Sequence, residues 1–301
     1  MVDSTKMFSI GVSVSKKLDG SKLKKSNIQF LVQDAKQQIL KHYISHNIAH
    51  IIINNYNIDG AHYANLPDET ECNFISLDIL FICLPSDLVL FYKKIFSKSN
   101  ISINQIICSS YAKSINYKNS LNITGSMLFI DIGFNKSSII AYFNNKIISV
   151  NILPVGGNDI TKDISKVLGI DLNSSERIKL EFSQNQEFLN EINFSLDKLQ
   201  KIIFARFEEI LDLCIKSSVP NFFESGQFKI ALMGEGSKIL YNQYKNKIFF
   251  SNDTDFMNET LESICQSGFK FEKVSNKQEV VMVAKKQIKQ GFFEKLFHFF
   301  S

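Results

Sequence analysis

The residues of this chain whose types and spacing could do chemistry stand where apolar runs end. Leu128-Phe129-Ile130 delivers Asp131-Ile132-Gly133 into a polar turn, Phe134-Asn135-Lys136-Ser137. A carboxylate at a strand end can hold a hydrated Mg²⁺, and a glycine lets backbone N–H groups approach a phosphate; amide, ammonium and hydroxyl side chains add donors. Asp131 is therefore the candidate metal ligand, and Asp131, Gly133, Asn135, Lys136 and Ser137 form a candidate anion cradle. The alternative is a plain turn, because Asp and Gly are ordinary turn formers. Some twenty residues on, Gly156-Gly157 leads into a predicted helix whose free N–H groups favour an anion. No catalytic residue is nominated.

The elements that must position these groups follow from periodicity. From Phe8 to about Cys83, β-branched runs such as Ile51-Ile52-Ile53 and Ile79-Leu80-Phe81-Ile82 flank a helical stretch near Asn27 to Tyr43, which predicts a small α+β unit with a turn at Asp59-Gly60. Asp87 to Ser97 reads as a helix, Gln105 to Cys108 as a strand and Ala112 to Tyr117 as a short helical piece. Met127 to Asp131, Ser138 to Phe143 and Ile147 to Leu153 predict a three-strand meander, its last turn made by Asn144-Asn145, which tolerate positive φ. Helices are expected over Asp159 to Leu168, closed by Gly169, and from Ser174, with Asn173 and Glu176 spaced as a capping box. A longer one spans Ser195 to Lys216, with Leu196, Leu199, Ile203, Phe207, Ile210 and Cys214 on its apolar side. Phe228 to Met233 reads as a buried strand.

The order of these features resembles the second half of the actin-like ATPase fold as it occurs in the FtsA family. The resemblance is carried by strand-Asp131-Ile132-Gly133, the hairpin, Pro154-Val155-Gly156-Gly157-Asn158-Asp159-Ile160-Thr161-Lys162-Asp163-Ile164, Glu176-Arg177-Ile178-Lys179 and Ala205-Arg206-Phe207-Glu208-Glu209-Ile210. Tyr56-Asn57-Ile58-Asp59-Gly60 is similar to a stretch of that family's inserted subdomain. The resemblance implies an α/β, ribonuclease H-like fold. It divides the chain into an inserted subdomain (1–84), a remnant of the first actin-like domain (85–124), a second actin-like domain (125–284, smaller lobe about 183–229), and a linker with a terminal helix (285–301). It also implies that ATP and Mg²⁺ are the cofactors, that Glu176 and Lys179 line an adenosine pocket, and that Gly234, Gly236 and Ser237 form its adenine-side turn. Glu176 as a cap, Lys179 as a solvated helix residue and the glycines as a turn are the alternatives.

Three departures weaken hydrolysis. The family's first phosphate loop, expected before the inserted subdomain, is missing ahead of Phe8. Phe134 and Asn135 stand where the second loop is usually glycine-rich, so positive φ there would be strained. Glu235 would repel a phosphate beside it.

At the far end, Phe292, Phe293, Leu296, Phe297, Phe299 and Phe300 share one helical arc, with Glu294, Lys295 and His298 on the other. This segment is too short to span a bilayer but suits the headgroup zone, aided by Lys285, Lys286 and Lys289 near anionic lipid. The resemblance implies an adaptor: anionic membrane lipids on one side, the tubulin-like ring protein FtsZ near Leu196 to Val219 on the other, with other division proteins and further copies of the chain as partners. The expected place is peripheral, on the cytoplasmic face of the membrane at the division site. A kinase-like ATPase and a nucleotide-free scaffold are the alternatives. Composition agrees with a globular chain: 301 residues, 45% apolar, 21% charged, with a net charge of +4 that is spread rather than gathered as in nucleic-acid binders. Five cysteines without a Cys-x-x-Cys pair suggest neither zinc nor a disulfide framework.

Overall fold

The computed structural model describes residues 1–67, 70–120, 122, 124–184, 195–218, 228–240, 254–257 and 259–275. Its N-terminal part is an antiparallel sheet of β1 (Phe8–Lys17), β2 (His46–Ile58), β3 (Ala61–Tyr63) and β4 (Phe74–Pro85), in the order β1-β4-β2-β3. The uninterrupted apolar runs have a physical reason: successive side chains of a strand face opposite ways, and here both faces are covered. Ile51, Ile53, Leu77, Ile79 and Phe81 pack under helix α1 (Lys25–His42), against Leu31, Val32, Ala35 and Ile39. Ile52, Leu80, Ile82 and Leu84 face the other way, into a core shared with the rest of the molecule. Asp59 and Gly60 turn β2 into β3 with φ of 48° and 87°.

Two helices, α2 (Ser86–Ser97) and α3 (Ser109–Ser120), lead to a second sheet. It consists of β5 (Met127–Ile132), β6 (Ser137–Phe143), β7 (Lys146–Leu153), β8 (Lys229–Met233) and β9 (Thr254–Phe256), in the order β7-β6-β5-β8-β9. The first three form an antiparallel meander, and β8 and β9 continue the sheet in parallel. Asn144 and Asn145 close the β6–β7 hairpin with φ of 47° and 68°, the signs a type I′ turn demands. One face is covered by α4 (Gly157–Leu168), α5 (Leu172–Gln184) and α6 (Leu196–Ser217), with Leu128, Ile130, Ile160, Ile203 and Phe207 at its centre. The other face packs on α3, on α7 (Leu261–Ser275) and on the first sheet. Where the sheets meet, Val150 N–H donates to Ser9 Oγ at 2.7 Å, Ser9 Oγ donates to Val150 O at 3.2 Å, and Asn54 Nδ2 donates to Ile147 O at 2.7 Å.

Several local expectations need correction. Gln105 to Cys108 is not a strand; only an isolated bridge joins Val2 to Cys108. The short helical piece at Ala112 is a twelve-residue helix. Asn173 does not cap α5: Asp171 does, its Oδ1 accepting from Asn173 N and Ser174 N at 3.0 Å each, because its short carboxylate folds back onto the first turn. Leu196 is 45% exposed, whereas Leu199, Ile203, Phe207, Ile210 and Cys214 are buried as the helical periodicity predicts. The terminal arc from Phe292 to Phe300 lies outside the described residues. Among those described, no helix is long and apolar enough to cross a membrane.

Candidate functional site

Three glycine turns and two helix starts converge at the ends of β5 and β8. Gly133 closes the turn after β5 through its N–H to Lys136 O at 2.9 Å. Its own carbonyl accepts from Gly157 N at 2.9 Å, and Phe134 O accepts from Asn158 N at 2.7 Å, so the turn sits directly on the start of α4. The fit explains Gly156: a Cβ there would lie 2.5 Å from Gly133 O. Gly234, at φ 86°, is equally confined, since a Cβ would meet Asp131 Oδ1 at 2.4 Å, and one on Gly236 would meet Ile132 Cγ2 at 2.6 Å. Ser237 is buried and spends its hydroxyl on Gly234 O at 2.7 Å. Ser137, also buried, donates to Val155 O at 2.8 Å, and Asn135 accepts from Asn158 Nδ2 at 3.0 Å.

Glu176 and Lys179, one turn apart on α5, face the start of α4. Lys179 Nζ donates to Glu176 Oε2 at 2.6 Å, Thr161 Oγ1 at 2.8 Å and Gly157 O at 3.0 Å, while Thr161 Oγ1 also donates to Glu176. Burial is the larger influence on Lys179 and draws its pKa below the usual ammonium value, against the pull of Glu176. Lys179 is therefore not solvated, and Glu176 is not a cap. Phe134 and Asn135 are absent from the positive-φ residues, so the predicted strain does not arise. Glu235 is exposed and pairs with Lys238 at 2.6 Å.

Asp131, the candidate metal ligand, has a partner that its local sequence does not announce. Lys113 on α3 forms an ion pair with Asp131 Oδ2 and lies 2.9 Å from Glu259 Oε2. Glu259 in turn accepts from Gly234 N at 2.9 Å and from Tyr117 Oη at 3.2 Å. Burial, and then the Glu259 carboxylate, push Asp131 up to about 6, with Lys113 opposing them. Beside this trio, Asp3 sits at the start of α3. Its Oδ1 accepts from Ser109 N at 2.8 Å and its Oδ2 from Ser110 N at 3.0 Å and Ser138 Oγ at 3.2 Å. Lys136 Nζ donates to Asp3 O. A cavity of about 310 Å³ lies between Asp3, Ser109, Asp131, Gly133, Lys136 and Ser138.

Tested against Mg²⁺ and a triphosphate, these residues do not fit. The strand-end carboxylate already has an ammonium ion, the α4 N–H groups are spent on the Gly133 turn, and those of α3 are spent on Asp3. Among the described residues, no three His, Cys, Asp or Glu side chains gather as a metal site would require. Asp3, Lys113 and Glu259 are the members that sequence reasoning missed. Lys113 stands in a mixed stretch, Ser109-Ser110-Tyr111-Ala112-Lys113-Ser114-Ile115-Asn116, whose local pattern does not set it apart.

The sheet order and the helices on its faces are those of the actin-like ATPase fold. A chain of the PilM–PilN type IV pilus biogenesis complex is similar over 90% of this chain and 75% of its own length, at 13% identity and a TM-score of 0.54. The sequence model of the family described as "FtsA: Cell division protein FtsA" matches residues 128–202, from β5 into α6. The FtsA of Buchnera aphidicola subsp. Schizaphis graminum is 24% identical over 204 residues, covering 63% of this chain and 48% of that protein. The FtsA of Buchnera aphidicola subsp. Baizongia pistaciae is 25% identical over 249 residues, covering 75% and 59%. The chain thus spans about half the length of the curated relatives it matches, and its likeness to FtsA proteins is densest over β5 to the start of α6.

Proposed function

We propose that the chain is a cell-division adaptor, holding a filament of an FtsZ-like tubulin homologue against anionic lipid on the cytoplasmic membrane face. The family match over residues 128–202 carries this reading, supported by the segregated aromatic arc from Phe292 to Phe300. In this reading the arc from Phe292 to Phe300 lies in the headgroup zone, with Lys285, Lys286, Lys289 and Lys295 adding attraction to acidic lipid. So short a segment binds weakly alone, and association of several copies multiplies it. The region around α6 receives the tail peptide of the filament protein, and the sheet β1 to β4 with α1 contacts neighbouring copies and later division proteins.

Co-sedimentation with anionic liposomes tests the tether, comparing the full chain with a version ending at Gln290. The full chain is expected to pellet with vesicles and the shorter one to stay in solution. Equal behaviour of the two would remove the membrane arm of the adaptor.

A further inference from the structure

The charged groups that line the cavity between β5 and α3 are already paired with one another, although the space between them is open. Lys113 is 5% exposed and Glu259 3%. An ammonium ion removed from water is retained only with close carboxylates, and Lys113 has two, Asp131 and Glu259. A divalent cation at Asp131 would have to displace Lys113, because two cations cannot share the same carboxylates without strong repulsion. The anion side is arranged the same way. Helix starts attract anions through their free N–H groups, and at α3 the occupant is Asp3, held by Ser109 N, Ser110 N, Ser138 Oγ and Cys108 Sγ. On α4, the N–H groups of Gly157 and Asn158 are turned onto the carbonyls of Gly133 and Phe134.

We propose that this site is self-liganded: Lys113 stands as the resident cation and Asp3 as the resident anion, so the folded chain forms and persists without Mg²⁺ or a nucleoside triphosphate. This goes beyond the adaptor reading and does not depend on it, since neither lipid nor filament protein enters the argument. It assigns Lys113 and Asp3 as counter-ions whose removal creates vacancies of opposite sign. Without Lys113, Asp131 and Glu259 face each other as two carboxylates, a pair that a hard divalent cation would satisfy. Without Asp3, the start of α3 regains free N–H donors beside Lys136 and Ser138, a set that suits a phosphate.

Thermal unfolding of the full chain, followed in chelator, in Mg²⁺, in inorganic phosphate and in Mg·ATP, decides the matter. A ligand that binds only the folded state raises the unfolding temperature in a saturable way. The native chain is expected to unfold at the same temperature in all four. Lys113→Ala is expected to unfold several degrees lower in chelator and to recover with Mg²⁺. Asp3→Ala is expected to recover with phosphate and not with Mg²⁺. A saturable rise of the native chain with Mg·ATP overturns the proposal. So does indifference of the folded variants to their respective ions. Should Lys113→Ala fail to fold, the neutral trio Lys113→Met, Asp131→Asn, Glu259→Gln replaces it. That variant is expected to fold in chelator and ignore Mg²⁺, and a requirement for Mg²⁺ would count against the proposal.

Discussion

Lys113 Nζ lies 2.9 Å from Glu259 Oε2, tying α3 to the segment ahead of α7 across 146 residues of chain. The same ammonium holds Asp131, so one side chain joins the end of β5 to both elements on that face. Burial pushes the Asp131 carboxyl up to about 6 in the folded chain, with Glu259 adding to the rise and Lys113 opposing it.

A pH dependence follows from that shift. A carboxyl whose pKa is higher folded than unfolded binds its proton more tightly in the folded state, so its contribution to stability is largest in acid and is lost as pH rises towards 6. Relative to Asp131→Asn, the native chain should therefore lose on the order of 2 kcal/mol between pH 4 and pH 7. Urea unfolding of both chains across that range checks it, and parallel curves would show that Asp131 has an ordinary pKa.

Lys179 is another buried cation, held by Glu176, Thr161 and Gly157 O. Lys179→Met leaves Glu176 and Thr161 to each other and is expected to destabilise by about 1 to 3 kcal/mol, since Glu176 remains partly in contact with solvent. Chemical unfolding without added nucleotide measures it. A loss seen only when nucleotide is present would mean that Lys179 serves a ligand and not the fold.

Two glycines with left-handed backbones separate crowding from torsion. Gly169 ends α4 at φ 67° with open space where a Cβ would stand, so Gly169→Ala should lose only about 1 kcal/mol. Gly234→Ala adds contact with Asp131 Oδ1 and Ile132 O to the same torsional penalty and should lose at least twice as much. Melting temperatures of the two variants, side by side, give the comparison.

The thiols offer a chemical test of the packing. Cys265 is exposed, whereas Cys72, Cys83, Cys108 and Cys214 are buried, and burial pushes Cys83 and Cys214 up to about 12. Thiolate is the reactive form, so an aromatic disulfide reagent should titrate one thiol quickly and the other four only on unfolding. Fast reaction at Cys83 would place β4 at the surface instead of between α1 and the second sheet.

The sequence was most informative where structure is set by neighbours along the chain. Asn144-Asn145 forms its hairpin because two adjacent residues tolerate positive φ, and Gly169 ends its helix for the same local reason. The continuous apolar runs at Ile51 and Ile79 were legible as strands because they are buried on both sides. The converging glycine turns were visible as motifs, but their donors were not visible as spent. That depends on Gly156 and Gly133 meeting, which no local pattern encodes. Asp3, Lys113 and Glu259 escaped for a stronger version of this reason: each is an ordinary surface type, and only tertiary packing makes the three adjacent. Asn173 shows the limit of spacing rules, because Asp171, two residues earlier, reaches the same N–H groups.

The contact between Ser9 and Val150 bears on how copies of the chain can adhere. An outer strand normally offers a row of bare amides and carbonyls on which a foreign strand can lie. At β7 a serine hydroxyl takes both groups of Val150 and an asparagine takes the carbonyl of Ile147, so two side chains imitate the strand that would have paired there. That margin is sealed by the molecule's own first sheet, which protects this border from runaway strand-on-strand growth.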